Sequence, residues 1–295
     1  MIGHVARDLL PAGAWRLGGT AAYAALTARR LGLRAAIVTA APTDVLAALA
    51  SAMPGVPVAA VPSAAATTFA NIYDGGHRRQ YLRDRATPLG LDAVPPAMRL
   101  ARVVLLAPLA REVAPELAAA FPAALVAATP QGWLRAWDGE GLVRPAPWGD
   151  ADRVLPHLRA LILSREDLMG PALADPGADP GADALAGASA DDTGAGVARR
   201  LAAWARPGLS LVVTDGAAGA DLIVGGAVER VPAHPAREVD PTGAGDVFAA
   251  AFLSALADGA DDRAAVDFAH RAAAYSVERE GLDGIPTRAM VEARR

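Results

Sequence analysis

The chain has 295 residues, a net charge of −4, 53% hydrophobic residues and no cysteine. The acidic balance and the low aromatic content of 5% leave no basis for a nucleic-acid surface. The missing cysteines exclude disulfides, thiolate zinc sites and cysteine nucleophiles.

The amino-terminal stretch MIGHVARDLL lacks the apolar core of a secretory signal, and later apolar runs fall well short of the roughly 20 residues of a membrane span. A cytoplasmic protein with no membrane attachment is expected, folded as a single domain over 1–295. Short apolar, β-rich runs at 34–40, 101–107, 123–129, 159–164 and 209–215 read as buried strands. Helical candidates lie between them at 21–32, 114–121 and 196–208, the last stopped by Pro207-Gly208. This alternation predicts an α/β fold with a mostly parallel sheet covered by helices on both faces. Ligands of such sheets bind beyond the carboxyl ends of the strands.

Two regions break the rhythm. Residues 63–92 hold two strand patterns, TTFANIY and RRQYLRD, around the turn signal Asp74-Gly75-Gly76, which predicts a hairpin serving as lid, interface or both. Residues 174–196 are rich in Gly, Ala, Asp and Pro and predict a flexible insertion.

The chemistry concentrates in EVDPTGAGDVF, residues 238–248. Glycines at 243 and 245 allow a tight turn that converges backbone N–H groups, and the apolar run that follows predicts a helix whose amino end adds its dipole. Asp246 opens that helix. Both a capped helix and a phosphate cradle with a carboxylate at its mouth fit these residues.

The longer string DPTGAGDVFAAAFL resembles the carboxy-terminal signature of the PfkB (ribokinase-like) carbohydrate kinases. LGGTAAYAALTARRLG (17–32) resembles the family's Gly-Gly motif, GHVARD (3–8) its first strand with a substrate-binding Asp, and VVTDGAAGADL (212–222) its nucleotide-side segment. The resemblance implies a ribokinase-like three-layer α/β/α domain with a small β lid, formed by roughly 9–19 and 63–92. It implies an ATP-dependent phosphotransferase acting on a sugar or polyol hydroxyl. Asp246 would be the base, with the N–H groups of Gly243, Ala244 and Gly245 as the anion hole. Thr214, Gly216, Gly219, Thr242, His270 and Ala273 would border the ATP. Asp8, Gly18, Gly19 and Tyr23 would meet the acceptor. Asp167 would hold Mg2+ through water, and Asp240 would take part in a monovalent-cation site suited to K+. Family members often dimerise through the lid sheet, so the apolar positions of TTFANIY serve a homodimer or cover the substrate.

Two departures from the family pattern stand out. Tyr23 appears near the place where many members carry Asn, and Ser164-Arg165-Glu166-Asp167 replaces the N-x-x-E motif. Together with GGTAAY and TPQGWLRAWDGEG (129–141), these features resemble a subgroup that includes myo-inositol kinases. The alternatives are a nucleoside kinase of the same fold and a non-catalytic ligand-binding homologue.

Overall fold

The computed structural model describes residues 1–74, 77–168 and 194–294. The turn residues Gly75 and Gly76 and nearly all of the 174–196 insertion lie outside the described residues. The first half of the chain runs β1 (Ala6–Leu9), β2 (Trp15–Gly18), α1 (Thr20–Arg30), β3 (Ile37–Ala41), α2 (Thr43–Ala52), β4 (Val58–Pro62), β5 (Thr67–Asp74), β6 (His77–Asp84), β7 (Val103–Leu106) and β8 (Leu125–Ala128). The middle adds β9 (Arg135–Trp137), β10 (Val143–Pro145), α3 (Ala151–Val154), β11 (Ala160–Ser164), α4 (Arg165–Leu168) and α5 (Gly194–Trp204). The last third holds β12 (Ser210–Thr214), β13 (Ala220–Val224), β14 (Ala227–Val231), α6 (Ala244–Ala257), α7 (Asp262–Ser276) and α8 (Arg288–Ala293).

The central sheet has the order β14-β13-β12-β11-β8-β7. Ile2 bridges β7 to β3 in parallel, which joins the β3-β4 pair to the same layer. Strands β7, β8, β11 and β12 run parallel, while β13 and β14 fold back antiparallel at one edge. Both faces of the sheet are buried, and alternation decides which core each side chain enters. Ile162 and Val212 pack with α1, α6 and α7, whereas Leu161, Leu163, Leu211 and Val213 pack with Trp133, Leu155 and Trp204 on the opposite face. Helix α6 is buried from Val247 to Ala255, as its apolar sequence requires of a helix covered on all sides.

The expected strands all form. The 114–121 run differs from expectation: it is a 3-10 segment, Pro115–Ala120, and not an α-helix. Pro122 disfavours helical backbone at Phe121, and so few residues cannot sustain an α-helix. Just before this segment, buried Glu112 accepts hydrogen bonds from the N–H groups of His4 (3.0 Å), Leu109 (2.9 Å) and Ala110 (2.7 Å). Its carboxylate thereby locks the loop after β7 to the root of β1.

A second sheet is ordered β2-β1-β5-β6, over the residues expected to form a lid. It includes the GHVARD segment, because residues from Ala6 onward leave the central layer to pair with β2 and β5. Phe69 and Leu82 of this sheet pack inward with Ala6, Leu109 and Ala110. The β9–β10 hairpin docks beside it: the Leu82 N–H donates to Gly141 O at 2.8 Å, and the Arg85 guanidinium lies 5.8 Å over the Trp137 ring.

Candidate active site

Gly243 caps α6 with a left-handed backbone (φ 79°), and a β-carbon there would clash with the Tyr23 ring. Only glycine meets both conditions. The preceding loop is fixed by Asp240, whose Oδ1 accepts from Thr242 N–H at 2.9 Å. The Ala244 N–H donates to Pro241 O at 3.2 Å, so this member of the expected anion hole is shared with the turn. The first-turn N–H groups of a helix have no intrahelical acceptor, and here they open beside Asp246.

Burial pushes the Asp246 carboxyl up from 3.8 to about 6, against a hydrogen bond from the Thr20 hydroxyl, with nearby Asp167 and Asp8 raising it further and Arg135 lowering it. The groups that act on this carboxylate are Asp8 of β1, Asp167 of α4, Thr20 of α1 and Arg135 of β9. Four segments far apart in sequence converge on one acid.

Asp8 lies over Gly18, where any β-carbon would collide with its carboxylate. Gly19, at φ 94°, passes so near β1 that a β-carbon would sit 2.7 Å from His4 O. The two glycines thus bring the start of α1, and Thr20 with it, against the Asp8 strand. Tyr23 is only 2% exposed. Its ring supports Gly243 from behind, its hydroxyl is buried without a hydrogen-bond partner, and burial raises its pKa to about 12. Its backbone N–H donates to Gly19 O at 3.3 Å, and Asp8 is among the charges felt at its hydroxyl.

The Ser164–Asp167 segment is a reciprocal cap. Asp167 N–H donates to Ser164 Oγ at 3.1 Å, and Ser164 N–H donates to Asp167 Oδ2 at 3.0 Å. Gln131 Nε2 donates to the other oxygen at 3.3 Å. Each carboxylate oxygen keeps a lone pair for a metal-bound water. Among the described residues, no three His, Asp or Glu gather as a metal cage.

On the other side of the loop lies a cavity of about 400 Å³, lined by Thr214, Gly216, Ala244, Gly245, His270 and Ala273 together with Phe248 and Val277. Gly219 and Thr242 stand outside it. Gly219 packs under the end of β14, and Thr242 turns its hydroxyl to Arg16. Burial lowers the His270 pKa to about 4, and its Nε2 is buried without a partner beside Phe248, 5.1 Å between ring centres. A neutral imidazole offers that nitrogen as an acceptor.

Sequence reading missed Arg16, Thr20, Gln131 and Arg135. Thr20 carried a signal, since it follows Gly18-Gly19 directly. The others lie on a strand or a short turn whose partners only the fold reveals.

Residues 177–288 match the pfkB family carbohydrate kinases. A ribokinase from Bacillus subtilis (strain 168) is 47% identical over 83 residues, and a fructokinase from Klebsiella pneumoniae is 48% identical over 67. These stretches span only 28% and 21% of those relatives. A pyrophosphate-dependent kinase in the ribokinase family, complexed with a pyrophosphate analog and myo-inositol, superposes with a TM-score of 0.74 at 20% identity, covering 99% of this chain and 98% of that one. Ribokinase from Arabidopsis thaliana, complexed with ribose and ATP, gives a TM-score of 0.71 at 21% identity over 99% and 96%. The local matches and the full-length superpositions agree: the chain has the ribokinase-like fold, and its residues 177–288 match the pfkB family carbohydrate kinases.

Proposed function

We propose that this chain is an ATP-dependent kinase that transfers the γ-phosphoryl group to a hydroxyl of a sugar or polyol. The observation that carries this reading is the position of Asp246. It feels the charge of Asp8 on β1, and the residues just before it, Ala244 and Gly245, line the cavity. Asp8 accepts hydrogen bonds from acceptor hydroxyls and holds one of them toward Asp246. As that oxygen attacks the γ-phosphorus, its proton passes to Asp246 and the bond to the β-phosphate oxygen breaks, releasing ADP. The start of α6 stabilises charge on the transferring group. When bound, Mg2+ neutralises phosphate charge, with Asp167 holding it through water. The lid sheet excludes water that would otherwise hydrolyse the donor.

Pyrophosphate is the rival donor, because a kinase of the same fold uses it. The apolar cavity bordered by His270, Ala273 and Val277 favours a nucleotide, since pyrophosphate has no base to fill it. The GGTAAY, Ser164–Asp167 and TPQGWLR features favour an inositol among the acceptors. Homodimerisation through the lid belongs to the same reading and is supported by Ile72, which is 46% exposed on that sheet. The test is a matrix of two donors, ATP and pyrophosphate, against inositols, pentoses, hexoses and nucleosides. The expected result is Mg2+-dependent ADP formation with a polyol or sugar. Transfer from pyrophosphate alone would overturn the donor assignment, and preference for a nucleoside would overturn the acceptor class.

A further inference from the structure

Arg16 of lid strand β2 reaches the phosphate-side loop across 224 residues of sequence, donating from Nη1 to Asp240 Oδ2 at 3.1 Å and from Nη2 to Thr242 Oγ1 at 2.9 Å. Its two arms therefore span the loop just before Gly243. Asp240 is already well supplied with donors. Thr242 N–H and Gly281 N–H approach its oxygens at 2.9 and 3.1 Å. A carboxylate oxygen accepts about two hydrogen bonds, so Oδ2 is saturated. Val277 O, a carbonyl tied to this loop, accepts from both Val239 N–H (2.7 Å) and Asp240 N–H (3.1 Å).

These residues do not fit a monovalent cation. Such an ion needs converging oxygens with free lone pairs, and here the N–H groups and a guanidinium converge instead. A cation placed beside the guanidinium would meet its charge repulsion. We infer that Arg16 is a built-in cation that braces the anion-hole loop from the lid, so that phosphoryl transfer needs no K+ or other monovalent ion. The chain contains no lysine, and the planar fork of arginine suits two acceptors held side by side. Arg16 also pairs across strands with Asp8, so the acceptor carboxylate and this brace ride on the same two strands. Lid placement and loop geometry are thereby coupled. Arg16 is a positioning residue, because it acts through Asp240 and Thr242.

The inference rests on the kinase reading of the loop, and its test separates the two. Wild type and Arg16→Ala are compared in KCl and in tetramethylammonium chloride at equal ionic strength, reading the affinity for a non-hydrolysable ATP analogue, the melting temperature and, with the acceptor panel, kcat. Wild type is expected to agree within twofold between the salts. Arg16→Ala is expected to lose at least tenfold in kcat or analogue affinity, to regain at least threefold in K+, and to regain kcat in low-millimolar guanidinium. Arg16→Lys is expected to fall between the two. A wild type at least fivefold better in K+ would overturn the inference, as would an Arg16→Ala variant that matches wild type or responds to neither cation. Absence of transfer to any acceptor would count against the kinase reading, while the salt dependence of analogue binding and of wild-type melting would still judge Arg16.

Discussion

The Thr20 hydroxyl donates a hydrogen bond to the Asp246 carboxylate, joining the first residue of α1 to the first turn of α6. A hydrogen bond to the charged form favours that form, so Thr20 holds the pKa of the base below the value that burial alone would set. Thr20→Val should therefore move the acid limb of kcat/KM upward from its wild-type position near pH 6. The loss should be roughly three- to tenfold near that pH and shrink as the pH rises toward about 8, where the base is ionised in both proteins. A pH–rate profile reads this directly, and a uniform loss at every pH would assign Thr20 to packing alone.

Asp246 should also cost stability. Its folded pKa of about 6 exceeds the ordinary 3.8, so between these values the folded state holds a proton that the unfolded state has released. Stability falls as pH rises through that window, by up to about 3 kcal/mol, and stays low above it. Asp246→Asn removes this half-buried charge and should raise the melting temperature at neutral pH, with the gain disappearing below pH 4. A destabilised Asn variant at neutral pH would contradict the desolvated-charge account.

Tyr23 makes a sharper test of the acceptor pocket. Its hydroxyl is buried without a partner, and its ring lies behind Gly243. Deleting a buried unsatisfied hydroxyl removes a desolvation cost, so Tyr23→Phe should stabilise the protein by about 1 kcal/mol and leave the acceptor KM unchanged. A tenfold rise in that KM would return Tyr23 to the substrate.

Glu112 serves the scaffold. Glu112→Ala strips the N–H groups of His4, Leu109 and Ala110 of their acceptor in a buried site. At about 1–3 kcal/mol for each unsatisfied group, a loss of roughly 3 kcal/mol or more is expected in urea unfolding. A change under about 1 kcal/mol would show that water replaces the carboxylate.

Strand runs such as 209–215 and the glycine-flanked Asp246 were legible because local pattern and turn chemistry decide them. The Gly-Gly pair was legible in kind, though the reason for Gly18 is the Asp8 carboxylate lying over it. The Ser164–Asp167 segment read as a degraded motif, whereas its spacing is that of a reciprocal helix cap, a signal available in the sequence alone. Arg16 was beyond sequence reading, since nothing local ties it to residues 224 and 226 positions away. Arg135 was hidden likewise, because only the docking of the β9–β10 hairpin brings it near Asp246.

The central claim is that Asp246 takes the proton of the acceptor hydroxyl. The most direct measurement is single-turnover transfer from ATP to the best acceptor by wild type and Asp246→Asn, beside binding of the ATP analogue to each. General-base removal should slow transfer by about 10²–10⁴ while analogue affinity stays within twofold. Transfer within threefold of wild type by the Asn variant would contradict the account.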